Sequence, residues 1–190
     1  MSRPRPSLFA LLTLFVLGLL LASCGPRWSI VHEATPDPFL GKTTFALEPL
    51  HFEQLLVGGK SEGEYRSDKS PEQNASWDED KQSMNGMYQQ SVVDHGEGLQ
   101  FVAPAAGVFI VRPVVNFIEP GFYAAVARGD TSVNLTVQIL SPDGQVLDEF
   151  TTSSRVAATM TNPSSGGRMR DAGADLGNVV AKYLKHRVFG

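Results

Sequence analysis

Thr131-Ser132-Val133-Asn134-Leu135-Thr136-Val137-Gln138-Ile139-Leu140 decides the fold. Val133, Leu135, Val137 and Ile139 point one way and Ser132, Asn134, Thr136 and Gln138 the other, the two-residue period of a strand with one covered face and one wet face. Ser141-Pro142-Asp143-Gly144 follows with its residues in the order of a tight reversal, and Gln145 to Val156 returns as the partner strand. A sheet with one apolar face needs a cover. Met169, Ala172, Gly173, Leu176, Val180, Tyr183 and Leu184 supply it as one stripe at helical spacing, in a helix expected from Pro163 or Ser165 to His186 with Asn162 as its N-cap. Lys182, Lys185, His186 and Arg187 suit the negative end of its dipole. Gly173 and Gly177 are expected to let this helix approach the sheet closely.

Upstream, Thr43 to Glu48 alternates as a strand, Pro49 interrupts it, and the apolar pattern resumes from Leu50 to Val57. Gly58 to Ala75 is polar and rich in glycine, with Tyr65 as its only large apolar residue, so it is expected to be a mobile loop. Ser76-Trp77-Asp78-Glu79 has the pattern of a capping box and predicts a helix beginning there, with Trp77, Met84, Met87, Tyr88 and Val92 on its buried side and Gly96 and Gly98 at its end. Gly107 to Ile118 reads as a strand, which Pro113 should move to a sheet edge or bulge at its middle. Glu119-Pro120-Gly121 turns the chain. The order of strand, helix, strands, hairpin and helix predicts an α+β fold over residues 43–190, a two-layer sandwich of a mainly antiparallel sheet packed against two helices.

The N-terminus carries an address. Arg3 and Arg5 precede an uncharged apolar run from Leu8 to Ala22, which is shorter than the roughly 20 residues a spanning helix needs and so reads as an export signal. It ends in Leu21-Ala22-Ser23-Cys24, which resembles the lipobox of bacterial lipoproteins. That resemblance implies a signal peptide over 1–23, cleavage before Cys24, and acylation of the Cys24 thiol and of the new amine. It implies membrane lipid, held through Cys24, as one partner. Gly25 stands where aspartate, in the enterobacterial proteins this resembles, would favour inner-membrane retention, so the implied address is the outer membrane, facing the periplasm. Cys24 is the one cysteine, which leaves the mature chain no disulfide. Residues 24–42, with Pro26, Pro36, Pro38 and Gly41, read as a lipidated tether; Trp28, Ile30 and Val31 interrupt it and are expected either to dock on the domain or to sit at the membrane interface.

Removing residues 1–23 leaves 14 basic against 20 acidic residues, a balance unsuited to nucleic acid or to a polybasic grip on anionic lipid. Thr43 to Lys185 is similar in pattern to the domains of uncharacterised periplasmic lipoproteins and to the N-terminal α/β domains of TolB and of the curli-secretion and penicillin-binding-protein-activating lipoproteins. No catalytic motif comes with that similarity. His51 with Glu53, and His95 with Glu97, have a spacing that could ligand a metal, and Ser91, Asp94 and His95 are the candidates for a nucleophile and its base. Chance pairing is the favoured account of both sets, so no metal, cofactor or catalytic residue is assigned. The expectation is a lipid-anchored binding or assembly module for an envelope protein or glycan. The alternatives are a lipid-anchored hydrolase and a structural protein of envelope integrity.

Overall fold

The computed structural model describes residues 26–124 and 127–190. The signal peptide and Cys24 lie outside them. The chain runs β1 (Trp28–His32), β2 (Thr44–Leu47), β3 (Leu56–Val57), β4 (Lys60–Ser61), α1 (Glu62–Ser67), α2 (Pro71–His95), β5 (Gln100–Val102), β6 (Phe109–Glu119), β7 (Phe122–Ala124), β8 (Ala127–Gly129), β9 (Thr131–Leu140), β10 (Val146–Val156) and α3 (Ser165–Phe189). The main sheet has the order β1-β10-β9-β6-β2-β5, with β3 attached to β6 beyond the end of β2 and β4 paired in turn with β3. Neighbours are antiparallel from β1 to β6 and parallel where β2 meets β6 and β5. It is an α+β sandwich, as the alternation of β9 and the stripe of α3 require.

The β9–β10 hairpin closes at Ser141–Gly144, where Gly144 has φ +89° and donates to the Ser141 carbonyl at 2.9 Å. On the covered face Val133, Leu135, Val137 and Phe150 meet Met169, Leu176, Val180 and Tyr183 of α3 and Trp77, Met84, Tyr88 and Val92 of α2 in one apolar cluster. Tyr183 stacks on Phe150 with ring centroids 3.9 Å apart. Met87 is the member of the α2 stripe that the core leaves out, at 36% exposure. The close approach made by the glycines is helix to helix rather than helix to sheet. A Cβ on Gly173 would run into the Met84 carbonyl, and one on Gly177 would lie 2.5 Å from the Tyr88 carbonyl.

Pro113 does not put its strand at an edge. β6 is interior, and its bulge falls at Asn116, between Val115 and Phe117. The missing donor is tolerated because it faces the gap where the chain bows away between Glu48, whose N–H donates to Val111, and His51, whose N–H donates to Pro113. Helix α3 is capped by Ser164, whose hydroxyl accepts from the Gly167 amide, rather than by Asn162.

The stretch expected to be mobile is built into the fold. Gly58 to Ala75 is not a mobile loop: it holds β4, α1 and the first turn of α2, which starts at Pro71, before the expected Ser76 cap. Ser61 with Glu64, and Ser70 with Gln73, form complete capping boxes. Glu62 accepts from Trp77 Nε1 at 2.8 Å and Lys81 Nζ at 2.5 Å, Arg66 grips Asp78 with both terminal nitrogens, and Tyr65 packs on Trp77 at 5.0 Å. Polar partners here replace the missing apolar ones.

In the 24–42 segment the structure takes the docked alternative for Trp28. β1 pairs with β10, and Trp28 docks edge-on against Tyr183 at 5.6 Å. Beyond β1 a buried charge cluster holds the chain. Asp148 is fully buried; it accepts from Tyr183 Oη at 2.5 Å and from the Ala34 amide at 2.9 Å. Arg187 Nε lies 2.9 Å from Asp148, its N–H aimed off the hydrogen-bond line, while the terminal nitrogens reach Glu33, the Ala34 carbonyl and Asp37. Burial first, and the Asp148 carboxylate second, push the Tyr183 hydroxyl well above the usual phenol range.

Candidate functional site

The outward half of the strand alternation gives the main sheet an uncovered polar face. Ser29 of β1, Thr151 and Ser153 of β10, Asn134 and Thr136 of β9 and Asn116 of β6 line a shallow depression of about 390 Å³ with Arg27 at its rim. Alternation puts the β9 and β10 side chains there. The β6 bulge turns Asn116 outward, where its Oδ1 accepts from Thr136 Oγ1 at 2.7 Å. Arg27 does not charge the face: both its terminal nitrogens donate to Asp175, at 2.5 and 2.6 Å. That guanidinium, offset by burial and helped by the Ser154 hydroxyl, holds the Asp175 carboxyl below its ordinary range. The depression is therefore close to neutral, and hydroxyls and amides that both donate and accept are matched to an uncharged polar partner.

The histidine pairs do not converge. His51 Nε2 lies 3.0 Å from Glu48 and Nδ1 3.2 Å from Glu53, so His51 and Glu53 are in contact. Glu48 is already taken by Arg112 Nε at 2.7 Å and Nη2 at 3.1 Å, and that ion pair pulls its carboxyl below the ordinary range. His95 sits at the end of α2, its Nδ1 2.9 Å from the Ser91 carbonyl and 3.2 Å from the Ser91 hydroxyl. Among the described residues no group of three or more His, Cys, Asp and Glu side chains is placed to hold a metal ion. Ser91 and His95 touch, as a nucleophile and base would. Ser91 is nonetheless 6% exposed and donates to the Ala174 carbonyl at 2.6 Å, so its hydroxyl ties α2 to α3.

No protein-family model matches the chain. None of the curated proteins matches it. Among solved structures it is similar to the PelC dodecamer from Paraburkholderia phytofirmans, at 10% identity and a TM-score of 0.40 over 81% of this chain and 97% of that one. A point variant of the same dodecamer gives a TM-score of 0.42 at the same identity and coverage.

One polar hub was not foreseen from the sequence. Arg168 is fully buried on α3. Its Nε donates to Thr131 Oγ1 at 2.8 Å, Nη1 to the Pro163 and Asn162 carbonyls, and Nη2 to the Pro120 carbonyl at 3.1 Å. Its partners are neutral oxygens, and burial lowers the pKa of the guanidinium. The hub fixes the base of the β7–β8 hairpin to the start of α3. Its signal in the sequence is an arginine set between Gly167 and Met169, where the apolar stripe begins.

Proposed function

We propose that this is a lipid-anchored envelope protein, acylated at Cys24, whose domain faces the periplasm at the outer membrane and serves as a binding or assembly module for an envelope protein or glycan. The anchor is supported by Leu21-Ala22-Ser23-Cys24 at the end of an apolar run of signal length. The binding role is carried by one observation, the near-neutral depression of Ser29, Asn116, Asn134, Thr136 and Thr151, which no described element covers. A photo-crosslinking residue at Thr151, activated in intact cells, should capture a discrete partner that the same residue at Asp143, in the hairpin turn, does not. Thr136→Lys should abolish that capture while shifting stability by no more than about 0.5 kcal/mol, as for most surface changes. Equal capture at Thr151 and Asp143, or capture unaffected by Thr136→Lys, would reject this face as the binding surface.

A further inference from the structure

Arg27, three residues after Cys24, is held from several sides. The Arg27 carbonyl accepts from Thr152 Oγ1 at 2.8 Å, and the guanidinium is clamped by Asp175. Three residues span at most about 11 Å when fully extended. An acylated Cys24 therefore brings the lipid surface close to the domain, and the direction in which β1 begins selects the end that meets it.

β1 pairs antiparallel with β10 through Trp28 and Thr152, so the chain before Trp28 runs toward the C-terminal end of β10. Val156 at that end pairs with Thr131, and Ser132 pairs with Glu119. The end approached by the anchor is thus the one that carries the β7–β8 hairpin and the loop 157–164. Thr152 to Val156 is a rise of roughly 13 Å at strand geometry, so Cys24 can reach about the level where the strands stop and these connections begin. Their large apolar side chains face outward. Phe122 is 56% exposed and Met160 84%, while Tyr123 pairs with the exposed Arg128, two residue types suited to a membrane–water interface. The Arg168 hub and Gly121, at φ +65° and in contact with the Gly129 and Asp130 backbone, hold the hairpin base in place. The far end also exposes apolar side chains, Leu40 and Phe189. Phe189 lies 14 residues along α3 from Asp175, roughly 21 Å at helical rise, beyond the reach of the anchor.

We infer that the end bearing the β7–β8 hairpin and the 157–164 loop is the lipid-facing end of the domain, with Phe122 and Met160 seated at the boundary between headgroups and acyl chains. This rests on acylation at Cys24. A net acidic domain gains little from anionic headgroups, so apolar side chains supply the second membrane contact beside the acyl chains. The far end, with the Ser141–Gly144 turn, then points away from the bilayer.

The lipidated protein, purified from membranes, is reconstituted into vesicles of phosphatidylethanolamine and phosphatidylglycerol. It carries an environment-sensitive fluorophore on Met160→Cys, on Arg128→Cys or on Asp143→Cys. Shallow doxyl-labelled lipid should quench most of the fluorescence at Met160 and Arg128, with a blue shift at Met160, and leave Asp143 unquenched. Quenching at Asp143 equal to or greater than at Met160 would overturn the orientation. So would the absence of quenching at all three sites in protein that cosediments with the vesicles. Protein whose N-terminal peptide carries no lipid, and which stays in the supernatant, would remove the anchor itself, an outcome separable from the others by its mass.

Discussion

Arg187→Met is expected to destabilise the domain by about 3–5 kcal/mol, the usual result of removing one partner from a buried ion pair. Asp148, fully buried, would keep only the Tyr183 hydroxyl and the Ala34 amide, and Glu33 and Asp37 would lose their cation. The cost arises from the carboxylate left behind, so it should be reversible at the other partner. Arg187→Met combined with Asp148→Leu should recover much of the loss, because a well-packed apolar pair often does as well as a buried ionic one. Denaturant midpoints of the single and double variants check this. A double variant no more stable than Arg187→Met would show that packing, not charge, explains the effect. Limited proteolysis supplies a local readout: cleavage in residues 33–42 should appear in the single variant before cleavage in either long helix.

Leu176→Ala should be comparably severe, at about 2–5 kcal/mol. Leu176 is fully buried in the middle of α3, between Gly173 and Gly177, where α3 already lies backbone to backbone against α2. The two helices have little room to close further around a cavity, so the upper half of that range is expected. For a domain of this size the loss corresponds to a fall in Tm of roughly 2–4 °C per kcal/mol. An unchanged urea midpoint would mean that this face of α3 does not carry the core.

The parts of the fold legible in the sequence are those whose signal is periodic and dense. β9 alternates over its whole length and α3 carries an unbroken stripe, and both stand where their patterns place them. The polar face of the candidate depression was legible for the same reason, since Asn134 and Thr136 are the outward half of that alternation. What was not legible depends on partners distant in sequence. β1 has too few residues to show a pattern, and its place is set by β10 and by Arg187, more than 100 positions away. The short elements between Gly58 and Ala75 have almost no apolar content to read. Two capping boxes, Ser61 to Glu64 and Ser70 to Gln73, were the available signal, and the composition of the segment masked it. Gly173 and Gly177 announced a close approach without revealing to what, because a missing Cβ fits a helix as well as a sheet. The bulge at Asn116 has no local signature; Pro113, the residue that suggested one, sits three positions away.

Acylation of Cys24 is what the proposed anchor and orientation require. Protein extracted from membranes and analysed by mass spectrometry should yield an N-terminal peptide beginning at Cys24, with a diacylglyceryl group on sulfur and an acyl chain on the amine. Cys24→Ser should leave the signal uncleaved at that position and lose the added mass. A mature peptide that begins elsewhere, or one that begins at Cys24 with a free thiol, would contradict the anchor and with it the proposed orientation of the domain on the membrane.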